Sequence, residues 1–311
     1  MPAYPDDPPQ RQIRVGAQFV DDPMRALAPE ESLQFEAALI GIAGSVGRSA
    51  WLSGWPVFRG MLLSVNFASA DEGYDAIGSA VLVAPGLALC AHHVVKPYYD
   101  RMLAGKASCV CVGPLHDRVN LWRLNRATWV GGTDLELLNL SCASELPTDR
   151  AFSQAVLTTR TPRIGETLKL CGFRRDRMDV KPGEIACHGN VLVCQGRVQQ
   201  VYPQSRDRAM LSWPVVEVDC PAWGAMSGGP VFDERGYLIG LVCSSVEGCD
   251  GPAYVSLLWP ALGHPVPTKW PFERDGLTSL HQLDACLIEG REAFSAIPRD
   301  AGSVAWTVQH W

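Results

Sequence analysis

The sequence lacks a hydrophobic run long enough to cross a membrane, because no stretch approaches the roughly 18 apolar residues of a spanning helix. Its first residues, MPAYPDDPPQRQIRVG, are acidic and rich in proline, whereas a secretory signal has a basic start followed by an apolar stretch. We therefore predict a cytoplasmic protein that does not insert into membranes. Basic residues are also few, since 27 Lys and Arg oppose 33 Asp and Glu for a net charge of −6. This balance argues against a nucleic-acid-binding protein, which usually presents a basic face.

The sequence also lacks a Cys-x-x-Cys motif, although it contains eleven cysteines. The number is odd, so not all of them can pair within the chain. Several lie in apolar runs such as VLVC and LIGLVC, as expected for small buried hydrophobic residues. Cys109 with Cys111, or Cys187 with His188, could ligate a metal, but no second half-site follows at zinc-like spacing. We therefore predict no metal site and no organic cofactor.

Neither an internal repeat nor a low-complexity tract is present. From Gly60 onward, short segments rich in Val and Leu are separated by Gly, Pro, Asn and Asp, as in GSAVLVAPGLALCAHHVV and PVFDERGYLIGLVCSS. This spacing is typical of an all-β barrel or sandwich, and DERG indicates a tight hairpin turn. A linker of softer composition near residue 150 predicts two β units.

The rhythm of strands stops after Pro260. In the segment that follows, Leu277, Leu280, Leu283 and Leu287 recur at roughly helical spacing, and the final GSVAWTVQHW resembles a strand. We predict four regions: an N-terminal arm (1–45), a first β unit (46–150), a second β unit (151–262) and a C-terminal tail (263–311).

The stretch GAMSGGPVFD places a single serine, Ser227, before Gly-Gly-Pro. The glycines and Pro230 disfavour a helix there, so the serine is predicted on a tight loop that leads into a strand. In such a loop the backbone N–H groups of Ala225 and Ser227 can point at one spot, which is the geometry of an oxyanion hole.

Acyl transfer by a serine also needs an imidazole base and a carboxylate that orients it. LCAHHVV offers two adjacent histidines, His92 and His93, at the end of an apolar strand. Side chains alternate along a strand, so both cannot face the same cleft. GGTDLELLNL places Asp134 at the start of an apolar run, where its carboxylate can be partly buried beside an imidazole.

Three motifs, SGGPVFDERGYLIGLV, LALCAHHVV and TDLELLNL, together resemble the trypsin-like (chymotrypsin-fold) serine proteases, whose chain order is also His, Asp, Ser. IGETLKLCGF is similar to the strand that opens the second barrel in bacterial members. The resemblance spans about Gly60 to Pro260. It implies an all-β fold of two six-stranded antiparallel β-barrels, here with an N-terminal extension and a helix/strand tail. It also implies a serine endopeptidase that cleaves protein or peptide substrates through an acyl-enzyme.

The resemblance assigns the nucleophile to Ser227, the orienting carboxylate to Asp134 and the oxyanion hole to the N–H groups of Ala225 and Ser227. Alignment with the bacterial pattern Thr-Ala-x-His-Val-Val selects His93 as the base. Alignment with the secreted animal pattern would select His92 instead. We prefer His93, because no disulfide pattern supports the second alignment.

Two departures from the family pattern affect regulation. Ala225 replaces a glycine and resists a positive φ, so the oxyanion hole is expected to be imperfect at rest. Met226 replaces the aspartate with which secreted relatives capture a freed N-terminus, so activation by N-terminal cleavage is not expected. We instead expect a constitutive enzyme, or one switched by a ligand or a regulatory protein partner, for example in a bacterial defence or stress pathway. The arm and the tail are candidate docking or restraining elements.

The resemblance also locates a substrate pocket. Its floor is uncharged, so we predict a neutral or apolar residue before the scissile bond, although Glu247 and Asp250 lie nearby in sequence and could make the pocket acidic. The predicted pocket residues are Pro221 and Ala222 on the floor and Cys243, Ser244, Ser245 and Tyr254 on the walls.

Two alternatives remain at this stage. The first is a catalytically inactive protease fold that serves as a binding scaffold. The second is an α/β-hydrolase, in which AMSGG would form a nucleophile elbow and His264, His281 or His310 would be the base. An elbow needs a strand, a turn and a helix, and Pro230 followed by the strand YLIGLV argues against that helix.

Overall fold

The computed structural model describes residues 17, 20, 34–38, 50–51, 59–69, 73–115, 118–147, 151–181, 184–245, 251–267, 277–299 and 303–308. Its strands, in chain order, are β1 (Gln34–Ala38), β2 (Ala50–Trp51), β3 (Leu62–Ser69), β4 (Gly73–Ala84), β5 (Leu87–Ala91), β6 (Ala107–Pro114), β7 (Val119–Val130), β8 (Leu135–Cys142), β9 (Ala151–Ala155), β10 (Leu157–Thr158), β11 (Thr167–Lys181), β12 (Glu184–Tyr202), β13 (Val215–Val218), β14 (Pro230–Phe232), β15 (Leu238–Ser245), β16 (Ala253–Leu257), β17 (Val266–Pro267), β18 (Leu277–Thr278), β19 (Ile288–Glu289), β20 (Phe294–Arg299) and β21 (Ser303–Val308).

Helices in the described residues are short. They are α1 (His92–Val95), α2 (Tyr99–Leu103) and α3 (Trp259–Leu262), with single 3-10 turns at Lys96–Tyr98, Leu280–Gln282 and Arg291–Ala293. None of these described helices has the length and the hydrophobicity that a membrane crossing requires.

The first barrel closes in the strand order β3-β4-β5-β8-β7-β6, with every neighbouring pair antiparallel. Leucine, valine and alanine side chains fill its interior around Trp122, whose ring lies 5.4 Å from that of Phe152. Strand β5, LALCA, is buried along its whole length. The end of β5 therefore holds the histidines that follow it in a fixed position.

The second barrel has the order β14-β11-β12-β13-β16-β15, and pairing of β14 with β15 closes it. All six pairings are antiparallel. The prediction of two six-stranded antiparallel barrels is thus confirmed. Met226, next to Ser227, belongs to the apolar core of this barrel.

The DERG hairpin turn is also confirmed. It joins β14 to β15, with the N–H of Gly236 donating to the carbonyl of Asp233 at 3.0 Å. The Asp233 carboxylate accepts from the N–H groups of Arg235 and Tyr237, each at 2.9 Å. An Asp that binds its own turn in this way fixes the chain reversal.

A third apolar cluster lies between the barrels and includes part of the C-terminal tail. Leu280, Leu283, Cys286 and Phe294 pack there with residues of both barrels, and β19 runs parallel to β10. The leucine spacing that suggested a helix produces only the 3-10 turn Leu280–Gln282. Residues 277–294 are thus built into the fold rather than lying beside it.

The N-terminal arm is described only in part. Strand β1 pairs in parallel with β9, which places Gln34 opposite Ala151. Most of the predicted N-terminal arm (1–45) lies outside the described residues.

Candidate active site

The loop that carries Ser227 begins with a tight turn from Trp223 to Met226. The N–H of Met226 donates to the carbonyl of Trp223 at 3.0 Å, and Ala225, the third residue of the turn, has φ 69°. A positive φ at this position is the mark of a type II turn. For an alanine it costs about 1–2 kcal/mol. Ala225 nevertheless takes the left-handed conformation that a glycine adopts freely.

A second turn follows immediately, from Met226 to Gly229, and has Ser227 at its second position. The N–H of Gly229 donates to the carbonyl of Met226 at 2.8 Å, and Gly228 has φ 80°. A Cβ on Gly228 would lie 2.2 Å from the carbonyl oxygen of Ser79. Only a glycine therefore fits this position, and the close approach holds Ser227 against the first barrel.

Ser79, on β4 of the first barrel, makes two hydrogen bonds to the loop that carries Ser227 and a third to β11. Its N–H donates to the carbonyl of Ser227 at 2.8 Å, and its hydroxyl donates to the carbonyl of Ala225 at 2.8 Å. The same hydroxyl accepts from the N–H of Phe173 at 2.9 Å. Ser79 is fully buried. It orients the peptides that follow Ala225 and Ser227, a role that no sequence motif signalled.

His93 and Asp134 meet where β5 passes into α1. The Nδ1 atom of His93 lies 2.8 Å from Oδ2 of Asp134, and the N–H of His93 donates to Oδ1 at 2.9 Å. The aspartate side chain is 6% exposed, whereas the imidazole is 47% exposed. This carboxylate can hold one imidazole orientation and one tautomer, while Nε2 stays available.

His92 has a different partner. Its Nδ1 lies 2.6 Å from Oε2 of Glu136, and its side chain is only 11% exposed. Its ring stacks on Trp129, with centroids 4.8 Å apart. Of the two histidines considered as the base, only His93 therefore combines the predicted aspartate with an accessible ring.

The predicted nucleophile and base lie on adjoining segments. A Cβ on Gly78 would contact both Val94, the neighbour of His93, and the carbonyl oxygen of Ser227, at 2.6 and 3.0 Å. Within the described part of the chain, no hydrogen bond joins Ser227 to His93, and no carbonyl accepts from the N–H of Ala225 or Ser227. Catalytic hydrogen bonds are often long without substrate, and unpaired N–H groups are what an oxyanion needs.

The predicted pocket residues lie beside this loop. Pro221, Ala222, Cys243 and Tyr254 are buried, and Ser244 is exposed. The predicted wall residue Ser245 ends β15, and its side chain, like the whole of Glu247 and Asp250, falls outside the described residues. The pocket prediction is therefore described only in part.

Cys243, on β15 of the second barrel, is a buried thiol whose ionisation is affected by Asp134. Burial raises the pKa of its thiol to about 12, and the nearby charge of Asp134 adds to this. Its Sγ donates to the carbonyl of Tyr254 at 3.3 Å. The thiol is thus neutral at physiological pH and places no charge on this wall.

Sequence reasoning missed a group of polar residues at and near the predicted wall residue Tyr254. The guanidinium of Arg206 lies 4.6 Å from the ring centre of Tyr254, and the hydroxyl of Tyr202 donates to Glu217 at 3.2 Å. These residues come from the end of β12, the loop after it and β13. Nothing local in the sequence brings them together, because their meeting depends on strand register.

Cysteines provide no metal centre in the described chain. The nine cysteines with described side chains are buried free thiols. Among all the described residues, no group of three or more His, Cys, Asp or Glu is suited to a metal ion. Cys187, one member of the second ligand pair considered from sequence, has a side chain outside the described set.

Comparison with known families decides the identity of this arrangement. The trypsin-like peptidase domain matches residues 78–241, slightly more than half of the chain. The chain belongs to the trypsin-like peptidase family. It is therefore a serine protease, a hydrolase of peptide bonds. No curated protein matched the sequence of the chain.

Solved structures similar to this trypsin-like peptidase share little sequence with it. The MamO protease domain of Magnetospirillum magneticum is 16% identical, with a TM-score of 0.44 over 65% of this chain and 93% of that one. The Rv3671c protease of M. tuberculosis in its active form is 14% identical, with a TM-score of 0.48 over 75% of this chain and 85% of that one. A serine endoprotease from Yersinia pestis is 18% identical, with a TM-score of 0.40 over 64% of this chain and 59% of that one.

The family match covers part of the peptidase only. Residues 78–241 include His93, Asp134 and Ser227, whereas Tyr254 and the C-terminal tail lie beyond them. The family match therefore does not include the barrel strands β3 and β16 or the core residues of the tail. These are known from the structure alone.

Proposed function

We propose that this peptidase is a serine endopeptidase in which Ser227 is the nucleophile, His93 the general base and Asp134 the residue that orients His93. The observation that carries the proposal is the paired contact of His93 with Asp134, at 2.8 Å from Nδ1 and 2.9 Å from the backbone N–H. This pair adjoins a loop whose turns leave the N–H groups of Ala225 and Ser227 unpaired within the described residues.

The chemistry follows from these positions. The Ser227 hydroxyl transfers its proton to Nε2 of His93 as its oxygen bonds to the peptide carbonyl carbon. The N–H groups of Ala225 and Ser227 bind the oxyanion that forms. His93 then gives the proton to the leaving amine as the C–N bond breaks. Water, deprotonated by His93, hydrolyses the acyl-enzyme and restores the serine. Asp134 holds the imidazole by Nδ1–H throughout and keeps its own charge.

For specificity, we expect cleavage after neutral or apolar residues. Pro221, Ala222 and Cys243 place no charge in the proposed pocket. An unpaired charge is costly in a buried apolar site. Digestion of a peptide library should therefore show neutral residues favoured over Arg and Lys by about tenfold or more. Cleavage mainly after Arg or Lys would contradict this preference.

We also propose that a partner protein or ligand controls the activity. Met226 is buried in the apolar core of the second barrel, at the position where secreted relatives place an aspartate. A freed N-terminal amine would find no carboxylate there. Trimming of the N-terminus is therefore not expected to activate the enzyme. Because a partner or ligand is proposed to control the activity, we expect the protein purified alone to have low basal activity.

The proposed function is tested by labelling with a fluorophosphonate, which reacts with an activated serine. We expect an adduct on Ser227, located by peptide mass, in the wild type and none in Ser227→Ala. An adduct that forms only after addition of cell extract would support control by a partner. The absence of an adduct under both conditions would contradict the proposed chemistry and favour the inactive binding scaffold.

A further inference from the structure

The active site contains two histidine–carboxylate pairs built from the same two segments. His92 and His93 are consecutive, and their partners Asp134 and Glu136 are two residues apart. The pairing of β5 with β8 sets Cys90 opposite Glu136. Glu136 is on β8, and Asp134 is in the turn that leads into it, so the two carboxylates contact the two consecutive histidines. The proposed catalytic machinery uses only one of these pairs.

The second pair is shielded from solvent. Glu136 is fully buried, and both of its oxygens are occupied, since Oε2 lies 2.6 Å from Nδ1 of His92 and Oε1 accepts from the Tyr99 hydroxyl at 2.5 Å. Burial raises the pKa of Glu136, while the hydrogen bonds from Tyr99 and His92 act in the opposite direction. His92 lies between this carboxylate and the ring of Trp129. Its side chain is 11% exposed, against 47% for that of His93.

Helix α1, which carries both histidines, depends on outside contacts for its position. It has only four residues, and no side chain of its own caps its first turn. Instead, the N–H of His92 donates to the carbonyl of Asp134 at 3.0 Å, and the N–H of His93 donates to the Asp134 carboxylate. Asp134 therefore both caps this helix and orients the His93 ring.

We propose that His92, Glu136 and Tyr99 form a positioning device that fixes α1 and thereby holds His93 in line with Ser227. The inference rests on the proposed function of His93. The device joins β8 through Glu136, α1 through His92 and α2 through Tyr99. The orientation of α1 therefore does not depend on Asp134 alone. Displacement of a catalytic group by about 1 Å can cost about a hundredfold in rate. Contacts that keep α1 in place therefore help to maintain the catalytic rate.

The kinetic test compares two substitutions of His92. His92→Leu removes the imidazole, whereas His92→Asn keeps a side-chain N–H near the position of Nδ1. We expect His92→Leu to lower kcat about 10- to 100-fold with KM nearly unchanged, and His92→Asn to recover most of the loss. Glu136→Gln and Tyr99→Phe should give smaller losses of kcat, because each removes only part of the network.

Asn120→Ala is the matched control. Asn120 is fully buried on β7 of the same barrel and donates to the hydroxyl of Ser144 at 3.2 Å. It lies about 30 Å along that strand from Trp129. This change should lower Tm without lowering kcat at temperatures well below the transition. Folded His92→Leu and Glu136→Gln enzymes with the kcat of the wild type would overturn the proposal.

A second readout does not depend on catalysis. In Ser227→Ala protein with 15N-labelled histidine, the His93 Nδ1–H should give a protected, downfield NMR signal. We expect His92→Leu to broaden or remove it, and His92→Asn and Asn120→Ala to keep it. An unchanged signal in His92→Leu would overturn the positioning role even if the enzyme were inactive. Failure of the fluorophosphonate reaction, by contrast, would bear on the proposed function alone.

Discussion

Ser227→Ala is expected to lower kcat by about six orders of magnitude, by analogy with the loss of a triad serine on another fold. The hydroxyl is the group that forms the covalent bond, and the described loop presents no second nucleophile in its place. The backbone should remain as it is, because alanine fits the second position of the turn and the carbonyl of residue 227 keeps its bond from Ser79. The remaining rate would come from the oxyanion donors and from substrate binding.

The measurement is kcat and KM on a peptide substrate, with Tm recorded for each protein. We expect KM and Tm to change little in Ser227→Ala, which would place the loss in the chemical step. Ser141→Ala is a suitable control, because Ser141 bonds only to the exposed Asn125 at 3.2 Å among the contacts described for its side chain. A Ser227→Ala enzyme that retained more than about 1% of the wild-type kcat would contradict the assignment.

Much of the architecture could be predicted from local sequence. Segments of Val and Leu separated by turn residues indicated strands, and the DERG turn depends on one aspartate binding its own backbone. The C-terminal leucines show where this reasoning stops. Their spacing suits a helix, yet Leu280 and Leu283 fill the cluster between the barrels from a 3-10 turn and irregular chain. Tertiary packing outweighed local periodicity there.

The candidate site was predictable only where it lies in sequence motifs. The loop of Ser227 and the two histidines were visible as motifs. The bonds from Ser79 to Ala225 and Ser227, and the pairing of His92 with Glu136, arise from contacts between separate strands. Their formation depends on register, which a one-residue slip would change completely.

Ala225 illustrates the same limit in energetic terms. The intrinsic preference of alanine argues against φ 69° by about 1–2 kcal/mol. The structure holds it there by the hydrogen bond of Met226 to Trp223 and by that of the Ser79 hydroxyl to the carbonyl of Ala225. Two hydrogen bonds of about 1 kcal/mol each can offset that cost. The expectation of an imperfect oxyanion hole considered only the residue and not these partners.

Asp134→Asn should be the most informative change after Ser227→Ala, with an expected loss of about 10⁴ in kcat by analogy with the same change in another triad. The carboxylate has two tasks, since Oδ1 accepts from the His93 N–H and Oδ2 faces Nδ1. An asparagine can keep its oxygen on the backbone N–H. Its NH₂ group then faces Nδ1, so the imidazole must carry its proton on Nε2. That tautomer cannot accept the proton of Ser227.

The structural part of this prediction separates the two tasks of Asp134. Asp134→Asn preserves the cap on α1 and should change Tm little, whereas Asp134→Ala removes the cap and should lower Tm by an amount typical of a lost cap, about 1 kcal/mol in stability. Asp100→Asn, which neutralises an exposed carboxylate on the neighbouring α2, controls for a general change of charge. If Asp134→Asn stayed within tenfold of the wild-type kcat while Asp100→Asn did the same, His93 would not need an ionised partner, and its orientation would have to come from the helix turn that His92 and Glu136 hold.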